Sequence, residues 1–322
     1  MKISVFVPEQ AVIEAISPPY RLFTSANLFL QQQGKTPLFE VEFVGLSKSV
    51  AAQDGEYEIK THKTIAEVKK SDLVILPALY GDIQQALEKN KPALDWLKSM
   101  YRNGSEIASL CIGAFLLADT GLANGKKCST HWAYYELFRT MYPQVDLIDG
   151  TIISDEDGVY SSGGANSIWN LLLYLLEKYT DRATAIMAAK FFAIDIDRFD
   201  QGYFTIFNAQ KNHKDPDILK AQELIESKFS EKITVDELAD YIAVNRRTFE
   251  RRFKNATNNT VVEYLQRVRI EAAKRQFEAS RKNVNEVMFE VGYSDNKAFR
   301  EVFKKVTGLT PVEYRNKYAK VG

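Results

Sequence analysis

The chain has 322 residues, 45% of them hydrophobic and 26% charged, with 42 Lys and Arg balanced by 42 Asp and Glu. That is ordinary globular composition for about two domains, and zero formal charge argues against a uniformly basic nucleic-acid binder. Two cysteines, Cys111 and Cys128, exclude a disulfide scaffold, and no apolar run reaches the ~18 residues that cross a bilayer. The start, M-K-I-S-V-F-V-P, opens directly on a strand-like run, so no signal peptide and a cytoplasmic location are expected. Residues 3–7 (I-S-V-F-V) suit a buried parallel strand, and a helix is predicted over 20–33 with Gly34 as its stop. Strands follow at 39–46 and 73–79, a helix at 92–102, a strand at 107–110, and a helix past Cys111. This alternation predicts an α/β fold with a mostly parallel sheet, whose ligands bind at the carboxyl ends of the strands.

Cys111 falls at such an end, in S-L-C-I-G-A-F, where strand turns into helix. The position has the geometry of a nucleophile elbow. Free backbone N–H groups at the helix start are expected to favour an anion and to lower the thiol pKa. Gly113, lacking a Cβ, lets the helix pack close to the strand. A buried cysteine acting as a small hydrophobe fits the same position.

The run from Ser109 to Trp132, S-L-C-I-G-A-F-L-L-A-D-T-G-L-A-N-G-K-K-C-S-T-H-W, resembles the ThiJ/PfpI family of class I glutamine-amidotransferase-like folds. More closely, it resembles the version fused to an AraC-type DNA-binding domain, the GlxA-like regulators, which implies an α/β flavodoxin-like fold for this domain. V-I-E-A-I-S-P-P from Val12 and Y-S-S-G-G-A-N-S-I-W-N-L from Tyr160 extend the resemblance over most of residues 1–185. It implies Glu14 as an acid beside Cys111 and His131 as a nearby polar group. Ile112 stands where some enzymes of the family carry a polar or catalytic residue, and Asn170 where related regulators usually have aspartate. Because of the fusion to a DNA-binding domain, a pocket lined by Cys111, Glu14, His131 and Ile112 that senses a small effector or redox state is expected in preference to a catalytic site. The alternative is a cysteine-dependent hydrolase or hydratase. No role is expected for Cys128, and no cofactor or metal is implied.

Residues 191–207 alternate apolar and polar residues in part, as an extended arm or hairpin would, and the polar cluster at 211–216 ends in proline. The expected organisation is a sensor domain at 1–190, a linker at 191–216 and a second domain at 217–322. Charge divides with it. Residues 213–322 hold 22 basic and 17 acidic residues, a balance of +5, which leaves −5 for the remainder.

The second domain carries a near-repeat. F-E-R-R-F-K-N-A-T-N-N-T-V-V-E-Y from Phe249 returns fifty residues later as F-R-E-V-F-K-K-V-T-G-L-T-P-V-E-Y from Phe299. Just upstream, V-D-E-L from Val235 matches V-N-E-V from Val284 at an offset of 49, so the second copy has one extra residue in its turn. Each copy reads as two short helices joined by a tight turn, the helix-turn-helix plan. The first pair is 235–242 and 246–254 with Asn245 as N-cap. The second starts with 284–291, turns at Gly292, and is capped by Ser294 or Asp295. A helix over 262–279, with Leu265, Val268, Ala272 and Phe277 as its apolar stripe, separates the copies. At ~18 residues it spans ~27 Å, near the ~34 Å of one DNA turn. The exposed faces carry Arg246, Arg247, Thr248, Glu250 and Arg251 in one copy, and Asn296, Lys297, Ala298, Arg300 and Lys304 in the other. Such a face is often only solvated, but Arg and Asn are also the side chains that read guanine and adenine edges.

The ending E-V-G-Y-S-D-N-K-A-F-R-E-V-F-K-K-V-T-G-L-T-P-V-E-Y-R, residues 290–315, resembles the AraC/XylS signature, and the likeness covers 217–318. It implies base-reading or DNA-binding roles for Arg246, Arg247, Thr248, Arg251, Ser294, Asn296, Lys297 and Arg300. Glu301 replaces an arginine usual in that family. The resemblance implies double-stranded DNA as partner, a small-molecule effector, a homodimer, RNA polymerase if the protein activates, and no membrane.

Overall fold

The computed structural model describes residues 1–195, 207, 211, 213–280 and 282–319, and the chain forms two compact units, Met1–Gln201 and Gly202–Gly322. The elements of the first unit run β1 (Lys2–Val7), α1 (Ser17–Gln32), β2 (Glu40–Gly45), β3 (Ser49–Ala52), β4 (Tyr57–Lys60), β5 (Lys63–Thr64), β6 (Leu73–Leu76), α2 (Ile83–Asn90), α3 (Leu94–Arg102) and β7 (Glu106–Leu110). They continue with α4 (Ala114–Asp119), β8 (Lys127–Cys128), α5 (Tyr135–Met141), β9 (Asp146–Leu147), β10 (Ile153–Glu156), β11 (Val159–Ser162), α6 (Ile168–Tyr179) and α7 (Arg182–Phe192).

A seven-stranded sheet runs in the order β10-β11-β7-β6-β1-β2-β5, parallel throughout except at the β10–β11 edge. The central strands read as unbroken apolar runs because both faces are covered. Alternate side chains divide between the faces at the strand period of two. Ile3, Val5, Leu73 and Ile75 meet Leu22, Phe23, Leu172 and Ala188 from α1, α6 and α7 on one side. Phe6, Val74, Leu76 and Ile107 meet Leu87, Leu97, Phe115 and Phe138 from α2 to α5 on the other. The strand expected over 73–79 stops at Leu76, since Pro77 has no N–H to donate to a ladder.

The second unit is helical: α8 (Pro216–Ser227), α9 (Val235–Tyr241), α10 (Arg246–Thr257), α11 (Val261–Ala279), α12 (Val284–Glu290), α13 (Asn296–Thr307) and α14 (Pro311–Tyr318). It has two cores. Ile218, Leu238, Phe249, Phe253 and Tyr264 form the first, and Ile270, Phe277, Val287, Phe299, Phe303 and Tyr314 the second. Helix α11 contributes to both, and the predicted stripe packs against them, Leu265 and Val268 on the first core and Ala272 and Phe277 on the second. Tyr264, Ile270, Ala273 and Phe277 are fully buried, whereas Leu265, Val268 and Ala272 are half-buried. One helix shared by two cores turns its buried face along its length, so a single stripe cannot describe it.

The expected arm over 191–207 lies mostly outside the described residues. Phe191 and Phe192 close α7, and Phe207 packs its ring edge-on against Tyr264 at 5.3 Å and donates its N–H to Glu271 at 3.2 Å. Among the described residues no helix is long and apolar enough to cross a membrane.

Candidate functional site

Cys111 sits where β7 gives way to the helical turn 111–113 that leads into α4, with a left-handed φ of +56°. A non-glycine residue in that region is strained and is held there by its surroundings. Its N–H donates to Ser162 Oγ at 3.3 Å, and its carbonyl accepts from Thr130 Oγ1 at 3.1 Å. Gly113 is required by packing. A Cβ there would lie 2.4 Å from the Leu76 carbonyl oxygen and 2.6 Å from that of Pro77.

The thiol corrects one expectation. Burial pushes Cys111 up to about 12, and the opposing hydrogen bond from the Ile112 N–H is the smaller influence. A desolvated thiol resists ionising, and no cation among the described residues offsets that. Glu14 is in the short 3-10 helix Ile13–Ala15, whose N-cap Val12 donates its N–H to the Ala78 carbonyl at 2.9 Å, beyond the end of β6, so this segment does reach the carboxyl edge. Its carboxylate is exposed and accepts from Gln53 Nε2 at 3.3 Å, with no hydrogen bond to Cys111 among the described residues. His131 follows Thr130 and is half-buried, which depresses its pKa. Its Nδ1 accepts from the Ala133 N–H at 3.2 Å, capping the turn 132–134. Ile112 packs against both cores of the unit. Asn170 is buried and donates to the Asp195 carbonyl at 2.7 Å. Cys128, in a polar stretch of sequence, is nevertheless buried, and its thiol is pushed up to about 11 by desolvation. Both cysteines are free.

In the second unit the two copies are built alike. Asn245 accepts from the Thr248 N–H at 2.9 Å to cap α10, and Asp295 from the Ala298 N–H at 2.6 Å to cap α13. Asp295 is therefore the N-cap, and the alternative Ser294 is an exposed residue before it. Gly292 takes φ +83°, and a Cβ there would meet the Ser230 carbonyl oxygen at 2.7 Å. The repeated T-x-V-E-Y is a helix start. Thr260 with Glu263, and Thr310 with Glu313, form capping boxes opening α11 and α14. The tyrosines that follow are buried and donate to carboxylates, Tyr264 to Glu226 at 2.6 Å and Tyr314 to Glu278 at 2.5 Å.

The phenylalanines of α10 and α13 face inward, which leaves Arg246, Arg247 and Arg251, and Lys297 and Arg300, exposed on the opposite faces; Thr248 and Asn296 are half-buried. Among the described residues no hydrogen bond or ion pair engages the side chains of Arg247, Arg251, Lys297 or Arg300. Arg246 and Asn296 are engaged, by Asp236 and Glu250 and by Asn285 respectively. These partners escaped the sequence reading, as did Arg252. It leaves α10 on the connector side and forks onto Asp215 at 2.9 and 2.6 Å and onto Asp217 at 3.0 Å.

A seven-stranded α/β unit with a cysteine elbow and a twice-built helix-turn-helix unit define the class of protein. Residues 2–178 match the DJ-1/PfpI family and residues 238–317 a helix-turn-helix domain. The chain belongs to the DJ-1/PfpI family, and with its AraC-type helix-turn-helix domain it has the architecture of a transcriptional regulator. It is similar to the HTH-type transcriptional regulator ArgR of Pseudomonas aeruginosa, 28% identical over 68% of this chain and 67% of that one. It is also similar to the regulator CdhR of the same species, 24% identical over 83% of this chain and 78% of that one. A solved AraC family transcriptional regulator from Pseudomonas putida superposes with a TM-score of 0.51 at 17% identity, over 59% of this chain and 98% of that one. That likeness is one of fold.

Proposed function

We propose that the protein binds promoter DNA through the exposed first turns of α10 and α13, and that its DJ-1/PfpI unit senses a small effector and pairs with a second copy. The observation that carries the reading is the duplication. Two capped helices of one design each present Arg, Asn or Lys side chains at their first turn. Helix α11, with 19 residues, is about 28 Å long, which suits two heads in successive major grooves of one DNA face. Contact with RNA polymerase belongs to this reading if the protein activates.

For the sensing unit, the buried thiol supports Cys111 as part of a pocket wall more than as a nucleophile. Effector binding shifts the DNA-competent population only by its differential affinity for the two states. Selection of duplexes from a random pool, repeated at several salt concentrations, tests the DNA reading. A two-part site about one helical turn in spacing is expected, with affinity falling steeply as salt rises. Arg246→Ala is expected to cost ~1–3 kcal/mol on that site and to relax one base pair. Equal loss on specific and random DNA would make Arg246 a phosphate contact. Cys111→Ala should alter the response to effector with basal DNA binding intact.

A further inference from the structure

The side chain at the first position of each recognition helix is already braced by the first helix of its own head. Arg246 Nη1 lies 3.1 Å from Asp236 Oδ2, and its Nε donates to Glu250 Oε1 at 3.2 Å. In the other head Asn296 Nδ2 donates to Asn285 Oδ1 at 2.7 Å. These pairs are equivalent. Asp236 and Asn285 are the second residues of α9 and α12, and Arg246 and Asn296 the first residues of α10 and α13. The partners are ten residues apart in one head and eleven in the other, so the contact is rebuilt across a change in turn length. Its chemistry has changed with the copy, from an ion pair to a pair of amides.

Bracing of this kind matters at a reading surface. A long side chain that seats on a base edge gives up rotamer freedom, and one already held gives up less. The groups left over suit two different bases. Arg246 keeps Nη2 and part of Nη1 for the two acceptors of guanine, whereas Asn296 keeps its Oδ1 and one N–H for the donor and acceptor of adenine. Surroundings differ in the same sense. The carboxylates of Asp236 and Glu250 repel DNA phosphates and hold Arg246 back from them, while the second head has Arg300 at the place of Glu250.

We propose that Asp236 and Asn285 are specificity-determining positioning residues. They aim Arg246 and Asn296, so that the first head reads a guanine and the second an adenine. This rests on α10 and α13 being the DNA-contacting helices. The test is duplex selection from a random pool with the full-length protein and its Asp236→Ala, Asp236→Asn, Asn285→Ala, Arg246→Ala and Asn296→Ala variants. Asp236→Ala should relax the same base pair that Arg246→Ala relaxes, and Asn285→Ala the same one as Asn296→Ala, with specific affinity falling roughly 3- to 10-fold. For Asp236→Ala, binding to random duplex should hold or rise and its salt dependence steepen, since Arg246 is released towards phosphate. Asp236→Asn keeps the shape and an acceptor and should fall between, which guards against a folding defect in the alanine variant. Purely structural roles would lower the melting temperature and weaken all duplexes alike. If Asp236→Ala and Asn285→Ala keep the wild-type base preferences while Arg246→Ala and Asn296→Ala change theirs, the positioning role is overturned and the DNA reading stands. If the latter two also leave the selected sequence unchanged, the DNA reading fails and the proposal with it.

Discussion

Cys111 illustrates how a single side chain can have the backbone of a reactive site and the solvation of a core residue. Its positive φ and the helix behind it are what an activated thiol uses, but desolvation outweighs them. Alkylation by iodoacetamide at pH 8, followed by mass spectrometry, should therefore leave Cys111 and Cys128 unmodified in the native protein and label both in urea. Rapid native labelling of Cys111 would contradict its desolvation. The same shifts set a pH dependence. Both thiols have folded pKa values raised from about 9, to about 12 and about 11. As pH rises above about 9 the unfolded chain loses these protons first, so the thiols' contribution to stability is whole below that pH and drains away towards pH 12. Urea midpoints at pH 8 and pH 10.5 should show the fall, and Cys111→Ala should reduce it. Gly113 has little latitude. Gly113→Ala drives a Cβ into two backbone carbonyls and should cost at least ~2 kcal/mol, read from the same unfolding curves.

The repeat shows how much of each element was legible in sequence. Its phenylalanines, its caps and the turn glycine all follow from local rules, and the helices form where those rules put them. The threonines of the motif have local reasons too. Thr257 and Thr307 donate to the carbonyls four residues back at 2.8 Å and also to those of Asn259 and Leu309. Thr260 and Thr310 open the next helices. Because the last two are equivalent, Thr260→Ala and Thr310→Ala should cost similar amounts, about 1 kcal/mol each, in denaturant titrations. Illegible were the contacts between elements. Its place after β1 suggests Glu14 as a neighbour of Cys111, but its carboxylate accepts instead from Gln53, far along the chain. Asp236 reads as an ordinary helix-start acid, and only the packing of α9 on α10 brings it to Arg246. The stripe of α11 named four side chains that pack but missed Tyr264, Ile270 and Ala273, since no local pattern announces that one helix serves two cores.

At the level of the whole molecule the zero net charge is a cancellation, −5 before residue 213 and +5 after it. So small an excess makes affinity depend on where cations sit, and several on the first head are bound to its own carboxylates. Arg252 is one, forked onto the cap of α8. The same joint holds His213, whose Nε2 is 2.8 Å from Gln222 Oε1, and Lys211, paired with Glu226 at 2.7 Å. The end of the connector is thus fastened to the first head through α8, α10 and α11, while the residue equivalent to Arg252 in the second head is Val302. Arg252→Ala should lower the melting temperature, at a cost of about 1 kcal/mol for a half-exposed pair. It should also weaken recognition of the first half-site more than the second, measured with half-site variants of the selected duplex. Helix α11 carries a further consequence. Because each of its ends is locked into a different core, it acts as a protractor as well as a spacer. One residue inserted midway, near Val268, would advance the second head by only 1.5 Å but swing it through about 100° around the helix axis. A ruler would tolerate that step, whereas the angular phase between the two heads would be lost.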